Sequence, residues 1–213
     1  MDSSRGFIRI YLDVETYRPE KKLDFTGEDI ILVGLLHEEK EEPVFFENFE
    51  RGKEKEMLED LYAYLRELDI KHEEIEIIGF NILRYDIPLI ISKTLKHGIV
   101  KEVLEPAEQG HEAELISKFW HDMYIIDLQQ VLLPLNDMFF KGLRLDNIPQ
   151  KLPKCEIRSQ RIRDGKEIKK WYEMRKYDKI KKKNKEDLMI MRDIYRCITE
   201  NNKMSTLGNH SGN

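Results

Sequence analysis

The sequence predicts an α/β domain, a mixed five-stranded sheet flanked by helices. Three observations predict it. Three β-prone runs stand in a row before residue 50 with short links between them, which suits an antiparallel three-strand meander. Two further apolar runs each follow a stretch of helical period, which suits parallel strands reached by helical crossovers. The 213 residues are 40% hydrophobic and 36% charged, enough for one core under a heavily charged surface.

The elements follow in order. GFIRIYLDVE (6–15) alternates apolar and polar residues, then runs apolar, and reads as a central strand. DIILVGLLHE (29–38) is the second strand and EPVFFENF (42–49) the third, with EEKEE as the turn between them. Residues 53–68 place Met57, Leu58, Leu61, Tyr64, Leu65 and Leu68 at helical spacing. IEIIGFN (75–81) is a short buried strand, and YDIPLIISKTLKHG (85–98) a helix closed by Gly98. MYIIDL (123–128) is the fifth strand, LQQVLLPL after it is helical, and KGLRLDNIPQKLP (141–153) is a short helix with turns. NKEDLMIMRDIYRCITE (184–200) is the last helix, with Asn184 as N-cap and Leu188, Met191, Ile194, Tyr195 and Ile198 as its apolar stripe. Residues 5–200 thus form one domain, and 201–213 a polar tail that frays.

Bulk properties exclude some classes. Neither a bilayer-spanning apolar run nor a signal peptide is visible, so a cytoplasmic protein without membrane partners is expected. The Lys and Glu content suits a thermophile. Cys155 and Cys197 match no metal spacing and read as two separate thiols in a reducing compartment. The formal net charge of −5 means that any nucleic-acid binding must rest on local charge.

The chemistry lies in acids at the ends of core elements. In YLDVETY (11–17), Asp13 and Glu15 point to the same face of a strand, where desolvation and mutual repulsion are costly unless a cation intervenes. Asp86 follows a buried strand and opens a helix, with Asn81 just past the strand end. Asp187 falls in the first turn of the predicted last helix. Each acid alone has a structural explanation: solvation, helix capping, or the helix dipole. Together they are four hard oxygen ligands suited to Mg²⁺ or Mn²⁺. Two such ions about 3.5–4 Å apart promote phosphodiester hydrolysis.

The set resembles a known family. LDVET resembles the first motif of the DEDD superfamily of 3′–5′ exonucleases, Asp-x-Glu. GFNILRYDIPLI resembles the second motif as family B DNA polymerases carry it, with Asn, three residues, an aromatic and Asp after a strand. KNKEDL resembles the third, usually Tyr-x-x-x-Asp, often with Asn after the Tyr. MYIIDLQQVL and KGLRLDNIPQKL resemble the segments that link the second and third motifs in those proofreading domains. The resemblance spans roughly residues 7–200. It implies a ribonuclease-H-like fold in which Asp13, Glu15, Asp86 and Asp187 hold two Mg²⁺ or Mn²⁺ ions. It implies a free-standing 3′–5′ exonuclease acting on single-stranded or frayed DNA, with Asn81 and Tyr85 lining the strand groove. RNA is an alternative substrate, and a nuclease-fold module that binds nucleic acid or a replication or repair protein is an alternative function.

The sequence departs from the family at the third-motif tyrosine, which is Lys183 here. Two readings stand. Lys183 contacts the water or phosphate, and serves as a base only if its pKa is depressed, or the site grips without cutting. The basic stretch at 159–185 offers Lys169 and Lys170 to phosphates and Trp171 and Tyr177 to bases, or else is a solvated linker with core-packed aromatics. His72, His97, His111 and His121 show no metal spacing. Asp127 reads as a supporting group or a helix cap, and the Phe139–Phe140 pair as core.

Overall fold

β1 (Phe7–Tyr17) organises the fold through its alternation. Ile10, Leu12 and Val14 enter one apolar core, while Tyr11 and Tyr17 belong to clusters apart from it. Asp13 and Glu15 lie between those two tyrosines in the same alternation. The chain is seen in a computed structural model that describes residues 7–19, 27–50, 52–72, 74–99, 111–153, 155–157 and 167–208.

β2 (Asp29–His37) pairs antiparallel with β1, placing Gly34 beside Asp13 and Leu32 beside Glu15. The register shifts just after Glu15. β3 (Val44–Glu47) adds antiparallel to β2 and completes the expected meander. α1 (Glu54–Lys71) crosses to β4 (Glu74–Gly79), and α2 (Asp86–His97) and α3 (Glu112–His121) lead to β5 (Tyr124–Asp127). β4 runs parallel to β1 and β5 parallel to β4, so the sheet order is β3-β2-β1-β4-β5. α4 (Leu128–Val131), α5 (Ile148–Lys151), α6 (Ile168–Glu173) and the long α7 (Tyr177–Gly208) complete the chain.

The mixed five-stranded sheet is therefore as expected, and Gly98 closes α2 in the left-handed conformation that glycine tolerates. Three elements differ. α3 was not anticipated; its Ile116 and Trp120, one turn apart, bury against the first core. The last helix begins at Tyr177, seven residues before its expected N-cap, so Asn184 lies in its interior, and it runs past 200 to Gly208. Burial keeps helical period through Ile180, Lys183, Asn184, Asp187, Leu188 and Met191, but three of these are polar. A stripe interrupted by buried polar residues hides the helix from a hydrophobic pattern.

The third difference corrects the cysteines. Cys155 and Cys197 are joined in a disulfide, Cα–Cα 5.7 Å, because α7 returns beside the segment that follows α5. They are not separate thiols, and the sequence argument for a reducing compartment falls with them. No described helix is long and apolar enough to cross a membrane.

α7 packs across β1 and β2. The approach is close at Gly34, where a Cβ would lie 1.9 Å from Asn184 Oδ1 and 2.9 Å from Leu188 Cδ1. Glycine lets the Asn184 and Leu188 side chains lie directly against the strand.

Candidate active site

The site forms where α7 lies over the end of β1. Asp13 and Glu15 arrive by strand alternation, and Asp187 descends from the helix. Carboxylate oxygens of these three acids lie within 4.8 Å of one another. Glu15 and Asp187 are buried and Asp13 is partly exposed. Such a set of hard oxygen donors fits a divalent cation.

Asp86 joins from the first turn of α2. β1 parts from β4 after the Tyr11–Ile78 pair. Beyond that point the Val14 N–H donates to Asp86 Oδ1 at 3.1 Å. This bond satisfies a buried strand amide and anchors the carboxylate beside the Asp13–Glu15 pair. Asp13 is held from the opposite side, where Asn184 Nδ2 donates to its Oδ2 at 2.8 Å and to its carbonyl oxygen at 3.2 Å.

Three of the acids thus meet at one place with Asp86 near enough to feel Glu15, and crowding shows in their electrostatics. Burial, with repulsion from Glu15, holds the Asp13 carboxyl well above the usual carboxylate range, although Lys183 pulls the other way. Burial pushes Asp86 up to about 8 against the pull of the Val14 amide, and Glu15 and Asp127 add repulsion.

Lys183 lies inside this cluster. Its Nζ donates to Glu15 Oε1 at 2.5 Å and to Asp187 Oδ2 at 2.9 Å, and the side chain is buried. Burial disfavours the charge, but Glu15, Asp187 and Asp13 outweigh it and raise the lysine pKa. In the metal-free chain the surroundings of Lys183 therefore hold its proton, which opposes the reading of the lysine as a base.

Supporting groups surround the acids. Tyr85, just before α2, donates to Glu28 Oε2 at 2.7 Å, and Thr16 Oγ1 donates to the same oxygen at 2.6 Å. Arg18 pairs with the other Glu28 oxygen. Glu28 was not singled out in the sequence, because it sits in a short polar GED segment without periodicity. Asn81 turns the chain out of β4 with φ 65°, which Asn tolerates better than most residues. The turn is held by Asp127, which accepts from the Asn81 and Leu83 amides at 2.9 and 3.2 Å and from the Gln129 amide at the start of α4. Asp127 is both a support and a cap.

The remaining expectations divide. Lys169 and Lys170 are exposed on α6. Trp171 is 6% exposed and packs with Tyr17 and Tyr172, and the Tyr177 ring stacks on Phe49 at 4.3 Å. The basic stretch therefore presents Lys169 and Lys170 while it buries Lys183, and these rings serve the core. Residues 159–166 of that stretch lie outside the described residues. The Phe139–Phe140 pair is corrected: it is not core, at 68% and 36% exposed, and Arg84 stacks over Phe140 at 4.3 Å. A short apolar run flanked by turns carries no period that distinguishes core from surface.

Comparison with known proteins matches this picture. A family B DNA polymerase from the hyperthermophilic archaeon Pyrobaculum calidifontis shares the fold, with a TM-score of 0.65 at 15% identity. The match covers 90% of this chain and 24% of the polymerase, so the chain spans about a quarter of that protein's length. Comparison with curated protein sequences finds no match. The RNase_H superfamily model matches residues 10–196, nearly the whole domain from β1 through α7, and the chain belongs to the RNase_H superfamily.

Proposed function

We propose that the protein is a metal-dependent 3′–5′ exonuclease that hydrolyses single-stranded or frayed DNA. The observation that carries this reading is the carboxylate cluster of Asp13, Glu15 and Asp187, with Asp86 anchored beside it on a nuclease fold. These four acids would hold Mg²⁺ or Mn²⁺. Divalent ions bound there would activate a water and neutralise charge on the departing oxygen.

The chain's own residues prepare that chemistry. Asn184 and the Val14 amide fix Asp13 and Asp86, so these two carboxylates are oriented before an ion arrives. The Thr16–Glu28–Tyr85 network keeps a phenol oriented beside Asp86, where a terminal nucleotide would lie. Arg84 and the exposed Phe139 and Phe140 continue from that segment and suit a single strand, offering a cation to phosphate and ring faces to bases. Lys169 and Lys170 add positive charge on α6.

The test is incubation of end-labelled single-stranded DNA and RNA with the protein and Mg²⁺ or Mn²⁺, beside Asp13→Ala. A ladder shortening from the 3′ end, absent in the variant, supports the proposal, and the two substrates report the sugar preference. Strand binding without cleavage in either metal would instead support a binding module or a module for a replication or repair partner. The ammonium of Lys183 among the acids is the observation that favours that second reading.

A further inference from the structure

The acids of the site differ in the partners they hold. The Lys183 ammonium lies within hydrogen-bond distance of both Glu15 and Asp187. Asp13 and Asp86 take neutral donors, the Asn184 amide and the Val14 N–H. A divalent ion shared by Glu15 and Asp187 would have to displace an ammonium from two of its own ligands. That ammonium is tethered to the same helix as Asp187, one turn away, and is nearly enclosed. Its three N–H donors satisfy carboxylates as a cation does, and it competes without loss to solution.

We propose that Lys183 is a built-in cation that takes the place of one divalent ion between Glu15 and Asp187, so that the chain binds a single ion, through Asp13 and not through that pair. This inference rests on the metal-dependent reading above. It gives the third-motif lysine a specific consequence: an ammonium supplies charge to the site but coordinates no water. Opening the position would create a second ion site from Glu15 and Asp187, both already in place.

The experiment is titration of the full chain with Mn²⁺ alone, followed by calorimetry and by electron paramagnetic resonance of free Mn²⁺. Wild type, Lys183→Met and Lys183→Tyr are compared, the tyrosine providing a second route to a folded variant. The expected result is one ion per wild-type chain and two per chain in either variant. Adding Glu15→Gln should remove the second ion. Two ions on wild type would show that Lys183 moves aside, and one ion on the folded variants would show that it holds no ion's place. Either result overturns the inference and leaves the metal-dependent reading intact. Absence of Mn²⁺ binding by all three chains overturns both.

Discussion

The two faces of the sheet are built from the same strand and differ in continuity. Toward α1, α2 and α3, Ile10, Leu12 and Val14 of β1 sit in one cluster that runs unbroken from Met57 and Leu61 to Trp120. Toward α7, apolar packing is divided: Tyr11 belongs to one cluster with Leu188 and Met191, and Tyr17 to another with Ile180 and Trp171. Asp13 and Glu15 lie between them, met by Lys183, Asn184 and Asp187. The lesson is that the site is a gap in a hydrophobic core, filled by charges whose burial opposes folding. One face supplies stability, and the other gives some of it up for chemistry.

The strongest way to break this contrast is Asp13→Asn. Cleavage should fall on the order of a thousandfold. In EDTA, thermal unfolding should show no loss of stability, because a carboxylate crowded by other acids has been replaced by a neutral amide. A large loss of stability in EDTA would mean that Asp13 holds the fold together. On the unbroken face, Leu61→Ala should behave in the opposite way. It should lose about 2–5 kcal/mol in denaturant titration while cleavage per folded molecule stays unchanged.

pH sharpens the comparison further. Asp13 and Asp86 hold their protons more tightly in the folded chain than in the unfolded one. Their contribution to stability is therefore fully present below the ordinary carboxylate pKa and is lost as pH rises toward about 8, the Asp86 value. Denaturation of the metal-free protein between pH 4 and pH 8 should show that fall, and Mn²⁺ should flatten it. The smallest effect is at the rim. Phe139→Ala with Phe140→Ala should weaken binding to single-stranded DNA by about 1–3 kcal/mol per stacked base, with the unfolding midpoint unchanged. Unaltered binding in a filter or anisotropy assay would remove these rings from the strand path.

How much was legible follows the same division. Most of the unbroken face was readable because its elements keep their hydrophobic periods, α1 from its spaced leucines and β1 and β4 from their apolar runs, although α3 on the same face was not anticipated. Asp13, Glu15, Asp86 and Asp187 stood out in the sequence because acids in such positions need a physical reason. The start of α7 was not, since Lys183, Asn184 and Asp187 occupy buried helical positions that an apolar pattern counts as surface. The disulfide between Cys155 and Cys197 and the Glu28 network depend on contacts between segments distant in the chain, which no local spacing encodes. The lysine itself was visible as a departure, but its clasp on Glu15 and Asp187 needed the helix laid over the strand.

Gly34 carries a further consequence, because it behaves as a shim. The missing methyl on β2 sets how deeply α7 sits, and α7 carries Lys183, Asn184 and Asp187 together. A side chain at that position would first push on the Asn184 amide that holds Asp13, and where that amide cannot turn away the helix itself would lift and widen the mouth between strand acids and helix acid. Mg²⁺ demands oxygens at about 2.0–2.1 Å, while Ca²⁺ accepts about 2.3–2.6 Å. A residue with no ligand atom of its own would then govern which ions the cleft prefers, through a few tenths of an ångström of helix height.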